Sequence, residues 1–556
     1  MKRGWLCVAT SLVSSTALAG GIFVPGSGAV SASRAGAAVA SADDGEALTI
    51  NPAGLAKTTG TTITISLELV RYFMSFARRG VYDDVSNPGF QPPYQGQPYK
   101  TVTNDPSPPT GIGKFQPIPV VAVVSDLHGL VPGLHLAVGL YAPTAYPFRN
   151  MTNGYKFPAA GDPNADLTTP PPGSRYDILT QESRVLLPSI AASYRIIPQL
   201  DVGARFTAGN LESQTQVAVW GTPSNFEERV SEDSLFSAKI KDNFIPAFGL
   251  GMTYRPTPFL EFGANYSSPL IIKAHGTATS VKGPDVDANR QIGPVPDADT
   301  QCGKGGTMEE QKACISLQLP QTATIGGRYK FLGKNGHENG DIELDLGWEN
   351  WGKKCALDAD GQFKDPSCTS PGQYRVVIDS GLYVNGEYQQ PLEKSVNNYN
   401  LKDTYSVRLG GSYQIPLGEA VDADRIVVRG GISYDSQAAN DGWLRAALDG
   451  AARETFTVGG AYKTKKWMAS LGVGYVYEGS NTNGGAKADG TDCNPTLAAG
   501  NQGCSATGSQ RDPSDRKGPD PTNPLITPAF QAENPYNQGT FESHYLLLML
   551  GFTISL

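Results

Sequence analysis

Charged side chains at every second position of otherwise apolar segments are the residues of this chain that could do chemistry. If alternate residues of an extended segment point to opposite sides, Arg205, Lys273, Arg328, Arg408, Arg425 and Arg429 share a face with Glu68, Glu261, Glu343, Asp345, Glu349 and Asp435. A face of mixed sign braces neighbouring strands with ion pairs, for instance Arg328 with Glu343 or Asp345. A cation on that face can also serve as counter-charge for the carboxylate of an otherwise apolar ligand, and Arg408 and Lys273 are expected to make that contact. Catalysis has no comparable support. The five histidines are His128, His135, His275, His337 and His544, and none sits beside a Ser or Cys in a nucleophile motif. His135 and His275 fall on the charged face as polar lining.

Apart from Cys7, the cysteines form three close pairs, Cys302 with Cys314, Cys355 with Cys368 and Cys493 with Cys504, in sequence rich in Gly, Pro and Asp. In a secreted chain this spacing predicts three local disulfides, each closing about a dozen residues. No pair has CxxC spacing, so no metal site and no cofactor are expected.

The elements that position these side chains must be strands. Leu546, Leu548, Leu550, Phe552, Ile554 and Leu556 share one parity, while Tyr545, Gly551, Thr553 and Ser555 take the other, broken only by Leu547 and Met549. A period of two with one apolar face predicts a strand. The same alternation predicts fourteen strands, at 61–74, 114–127, 133–142, 183–196, 199–220, 236–255, 258–279, 315–331, 341–357, 400–416, 425–436, 453–463, 466–480 and 541–556. Their connections alternate short, as at 197–198, 256–257 and 464–465, and long, as at 75–113, 143–182, 358–399 and 481–540. Outer-membrane barrels have this pattern of short periplasmic turns and long outer loops. A soluble sandwich would not require it. Mean hydropathy of -0.27 fits, because each spanning strand is only half apolar. A net charge of -8 without a clustered basic face argues against a nucleic-acid partner.

Residues 1–19 read as a signal peptide, with Lys2 and Arg3, an apolar stretch and Ala17-Leu18-Ala19 as cleavage site. Residues 20–60 do not alternate. They are rich in Ala and Gly, low in charge, and suited to packing inside a lumen. About eight strands already fill their own interior, so a fourteen-strand barrel leaks unless plugged. The fold class is therefore all-β: a transmembrane antiparallel β-barrel (61–556) behind an N-terminal hatch (20–60). Arg34 precedes Asp43 and Asp44 and is expected to lock the hatch to itself or to the wall, with a role in gating. Asn51-Pro52 is expected to turn the chain from hatch into first strand. Trp443–Leu448 reads as one short helix-like stretch in an outer loop, able to cap the mouth.

In these segments the chain resembles the FadL/TodX-type family of outer-membrane transporters for long-chain fatty acids and other hydrophobic compounds. The resemblance lies in Ser33-Arg34-Ala35-Gly36-Ala37, Ala42-Asp43-Asp44 and, most specifically, Asn51-Pro52-Ala53-Gly54-Leu55. It continues in Gly139–Pro143, Ser267-Ser268-Pro269, Leu319–Ala323, Trp348–Trp351 and Arg429–Asp435. Large loops and a terminal Leu556 instead of an aromatic residue depart from the family pattern. The resemblance implies fourteen strands, a hatch, and passive uptake of a hydrophobic small molecule by a monomer in the outer-membrane lipid of a Gram-negative-type bacterium. It also implies sideways exit through a gap where an inward kink interrupts the wall. Gly139 and Pro143, at the end of the third strand, are the expected site of that gap. Ile22 and Phe23 are the nearest apolar hatch residues and the expected ligand contacts. A structural or adhesive barrel with surface-binding loops is the alternative function, and it would need no lumenal ligand site.

Overall fold

A computed structural model describes residues 23–78, 82, 92–109, 111–145, 148–219, 230–286, 289–333, 336–358, 362–391, 395–418, 423–440, 443–448, 450–483 and 539–556. The expected signal peptide, Ile22, Cys493 and Cys504 lie outside these residues. The wall is a closed antiparallel barrel of fourteen strands. They are β1 (Thr61–Arg78), β2 (Gln116–Ser125), β3 (Leu134–Tyr141, resuming as Phe148–Asn150), β4 (Thr180–Ile197), β5 (Leu200–Val219) and β6 (Ser234–Thr257). Next come β7 (Leu260–Ser267 and Leu270–Lys282), β8 (Gln311–Leu319 and Thr322–Leu332) and β9 (Glu338–Glu349). The last five are β10 (Thr404–Pro416), β11 (Arg425–Asp435), β12 (Arg453–Lys463), β13 (Trp467–Asn483) and β14 (Gly539–Ser555). Each strand pairs with its neighbour in sequence, and β14 closes on β1 from Thr62↔Ser555 to Arg78↔Gly539.

The barrel is inside-out relative to a soluble fold. On β9, Leu344 and Leu346 are 48% and 47% exposed, while Glu343 and Asp345 between them are 0% exposed. That inversion is what a wall with lipid outside and a polar interior requires. Trp467 and Tyr462 at one rim, and Tyr434, Tyr405 and Tyr477 at the other, are partly exposed aromatics at the ends of wall strands.

Strand boundaries depart from the alternation in instructive places. The strand expected over 341–357 stops at Glu349, because Asp403 accepts from Trp348 Nε1 (3.0 Å) and Gly352 N (2.8 Å) and turns the chain away. The strands expected over 258–279 and 315–331 are each broken in two, at Ser268-Pro269 and at Pro320-Gln321. Residues 290–294, 380–384 and 387–391 of the outer loops form a separate three-stranded sheet. Residues 443–448 are not helical. Leu444 and Ala446 are nevertheless buried in the main apolar cluster, and Arg445 binds Asp177 (2.6 Å), so the stretch caps the lumen without a helix.

Two disulfides staple the outer loops, Cys302–Cys314 (Cα–Cα 5.3 Å) and Cys355–Cys368 (Cα–Cα 5.9 Å). Closing a loop of this length contributes roughly 3 kcal/mol in the chain-entropy account. Non-reducing peptide mapping should recover both pairs, and the third pair, Cys493 with Cys504, is expected in the same map. Recovery of cross-loop peptides would show that the loops are tied differently.

Candidate functional site

Residues 23–57 occupy the barrel interior, and most are buried. The segment holds itself together first. Glu46 accepts from the backbone N–H of Val30 and Ser31 (both 3.0 Å) and from the Ser66 hydroxyl (2.9 Å), which places a carboxylate at the start of the Ala29–Ala32 turn. Gly28 approaches that carboxylate at φ +93°, where a Cβ would lie 2.4 Å from Glu46 Cδ. Asn51 caps the short 3-10 helix Pro52–Lys57 by accepting from Ala53 N (3.1 Å), and its amide donates to Val39 O (2.7 Å) and Met252 O (3.1 Å). The Asn-Pro step is thus a helix start that also ties hatch to wall, more than the simple turn expected from the sequence.

The wall then grips the segment. Arg34 makes a buried fork to Asp341 (3.0 and 2.8 Å) and donates to Glu343 (3.0 Å). Its acidic partners are on β9, not Asp43 or Asp44, and its Nε also donates to Ala37 O within the segment (2.8 Å). Asp43 is exposed, and Asp44 accepts from Glu46 N (2.8 Å) and from the Thr553 hydroxyl (3.3 Å). Glu343 and Asp345 also accept backbone N–H groups of Ala38, Val39 and Ala40 at 2.6–3.0 Å. At the periplasmic end Lys57 binds Glu261 (2.7 Å), and Glu261 also meets Arg328 (3.2 Å) and Lys330 (3.0 Å). Arg328 therefore pairs with Glu261, Glu338 and Asp341 instead of the expected Glu343 or Asp345. The close fit needs glycine at Gly431, where a Cβ would lie 2.3 Å from the Arg34 backbone. It needs glycine again across the barrel at Gly203, where a Cβ would lie 2.4 Å from the Pro52 carbonyl carbon.

Above the hatch a cavity of about 230 Å³ crosses the lumen. On one side Phe23, Tyr141, Leu187 and Leu270 line it; on the other, Trp348 and Arg408. The outer face of the cavity runs into a buried apolar cluster, Leu211, Ile240, Ile245, Ile272 and Ala274, through Leu270 and Leu319. Arg408 donates to Asp435 at 3.4 Å, its Nε has no hydrogen-bond partner, and Asp345 and Glu349 line the cavity beside it. Arg205, also at the cavity, is occupied, donating to Leu48 O (2.6 Å), Thr49 O (3.0 Å) and the Ser267 hydroxyl (3.2 Å).

Lys273 does not face the lumen. The break at Ser268-Pro269 shifts the alternation of β7 by one residue, so Glu261 and Gly263 point in before it, and Ile272 and Ala274 point in after it. Lys273 and His275 are exposed on the outer surface. A proline-containing break between two apolar runs was the sequence signal for this flip.

Beside the cavity the wall itself is interrupted. β3 pairs with β4 up to Tyr141↔Leu187, and pairing resumes only at Phe148↔Glu182. The chain between turns inward to the hatch: Phe23 bridges Ala145, and Val24 N donates to Thr144 O (2.7 Å). Pro143 lies in this inward segment and lines the cavity. Gly139 does not. It sits in the ladder opposite Ala122 and Ser189, and a Cβ there would meet Leu48 Cδ2 and Val121 O, both at 2.5 Å. A side chain at Gly139 would thus strain the wall and hatch without touching the cavity.

The family model described as outer membrane protein transport protein (OMPP1/FadL/TodX) matches residues 166–506, more than half of the sequence. The chain belongs to this family. No curated protein matches. Among solved structures, the fold is similar to a Pseudomonas aeruginosa FadL homologue (12% identity, 96% of this chain and 99% of that one, TM-score 0.60). It is also similar to the P. putida toluene transporter TodX and the Ralstonia pickettii toluene transporter TbuX (each 13% identity, 96% and 99% coverage, TM-score 0.53). The FadL/TodX assignment makes the protein an outer-membrane β-barrel channel for hydrophobic compounds in a Gram-negative bacterium.

Phe23 lines the cavity, its ring centroid 5.8 Å from that of Trp351. Phe23→Ala should weaken binding of an apolar ligand by about 1–3 kcal/mol through lost contact area. Equilibrium binding of a fluorescent apolar probe to purified protein checks this, and unchanged affinity would remove Phe23 from the pocket.

Proposed function

We propose that this FadL/TodX-family chain takes up long-chain fatty acids passively, as a monomer. The observation that carries the reading is a cavity that joins an apolar lumenal track at one end to Arg408 at the other. A fatty acid needs both: area for its tail, and a cation with a donor to spare, which Arg408 Nε provides beside the 3.4 Å pair with Asp435. The ligand enters along Ile240, Ile272 and Leu270, rests with its carboxylate at Arg408, and leaves sideways between β3 and β4 into the membrane. Arg34, Asp44 and Asn51 hold the hatch below it, so that water and ions do not follow.

The solved toluene transporters favour a second reading, a monoaromatic hydrocarbon, which would use the apolar walls and ignore Arg408. Arg408→Met separates the two. Fatty-acid affinity of the purified variant is expected to fall roughly 10–100-fold, the range of a lost charge-assisted hydrogen bond, with toluene affinity unchanged. Equal fatty-acid binding by variant and wild type would overturn the fatty-acid reading. A barrel with only adhesive loops would bind neither.

A further inference from the structure

We propose that the outer wall at β6 and β7 carries a binding site for a phosphorylated lipid of the outer leaflet. The ladder between these strands runs from the periplasmic side to Gly249↔Ser267, stops, and resumes at Lys241↔His275. Where the strands part, a cleft of about 510 Å³ opens outward, lined by Lys239, Lys241, Asp242, Asn243, Lys273 and His275. The three lysines and His275 are exposed, on a chain whose net charge is -8.

The nearby acids offset only part of this charge. Asp242 is engaged by backbone, accepting from Lys273 N (2.7 Å) and Phe244 N (3.1 Å). Glu212 on β5 pairs with Lys241 alone (3.2 Å). Lys239 and Lys273 make no ion pair among the described residues. Ammonium groups on flexible stems suit the point charges of phosphate monoesters.

The neighbouring surface selects the source of the phosphate. Towards the membrane, Phe244 and Ile271 are 61% and 40% exposed, which makes a strip for acyl chains directly beside the cations. Behind the cleft, Ile240, Ile245, Ile272 and Ala274 are buried and close the wall to the lumen. An occupant therefore stays outside, with phosphates in the cleft and chains along the strip, as for basic pockets that take lipid headgroups at other membrane-protein surfaces. A bound lipid would also bridge two strands that lack their ladder hydrogen bonds here.

The test is native mass spectrometry of the full-length protein in non-ionic detergent, titrated with bis-phosphorylated lipid A, with the same lipid after removal of its phosphates, and with inorganic phosphate. One lipid A per protein is expected. Affinity should drop about tenfold or more for the dephosphorylated lipid, and likewise for the variant Lys239→Gln/Lys241→Gln/Lys273→Gln, its fold checked by heat-modifiable gel mobility. Equal binding of the two lipids by the wild type, or undiminished lipid A binding by the folded variant, would overturn the site. Displacement of lipid A by inorganic phosphate at the lipid's own concentration would assign the cleft to soluble phosphate and overturn the lipid. If the variant does not fold, the two-lipid comparison on the wild type decides.

Discussion

Deleting residues 20–50 is expected to leave a barrel that inserts and conducts ions freely. The wall strands make their ladders with one another, from β1 through β14 and back to β1, so the barrel does not need the hatch for its hydrogen bonds. What the hatch supplies is buried volume: nearly every residue from Val24 to Ala56 is buried or half-buried, inside a ring too wide for its own side chains to fill. Single-channel conductance in planar bilayers should rise from near zero to a steady open level. Arg34→Met should give the same result in milder form. It strips one partner from Asp341 and Glu343, which are fully buried, and breaking such an arrangement costs about 3–5 kcal/mol. That is enough to make the hatch come and go, so flickering conductance is expected. A deletion variant as tight as the intact protein would mean that the segment is not the plug.

Blocking the interruption between β3 and β4 is expected to stop uptake with the barrel intact. Ala142, Pro143 and Thr144 stand at the cavity's side wall, where β4 residues 183–186 have no ladder partner on β3. A tryptophan at 142 puts a large ring into a cavity of about 230 Å³. Uptake by cells carrying Ala142→Trp should fall by about tenfold or more, from steric exclusion alone. Val138→Trp is the control, because Val138 is 56% exposed on the lipid face of the same strand. Its uptake should match the wild type. If Ala142→Trp also transports normally, the ligand leaves by another way.

Much of this was legible in the residues because a barrel wall repeats every two positions. Glu343 and Asp345 against Leu344 and Leu346 announce both faces of β9, and the run of short and long connections fixes which end faces out. Asn51-Pro52 and Arg34 could be marked as hatch features by local chemistry. Their partners could not, since Asp341, Glu343 and Met252 lie some two to three hundred positions away, and nothing local in the sequence encodes that juxtaposition. Lys273 falls on the other face for the opposite reason: alternation does not carry across Ser268-Pro269, where one unpaired step turns every later side chain over. Gly139 suggests a permissive kink in the sequence, but the inward turn begins after Tyr141, and Leu48 of the hatch packs where a Cβ at Gly139 would lie. Alternation does place Arg408 towards the cavity, because β10 has no break between Thr404 and Pro416.

A hydrophobic ligand that crosses the lumenal cavity and leaves through the wall can be followed by photo-crosslinking. Cells expressing the chain would be given a long-chain fatty acid carrying a diazirine, irradiated, and the labelled residues mapped by mass spectrometry. Labels are predicted on Phe23, Tyr141, Thr144 and Leu187, around the cavity and the interruption of the wall. Labels on Lys57, Arg195 and Asp201, where the hatch ends against the periplasmic rim, would show passage straight down the lumen and rule out exit through the wall.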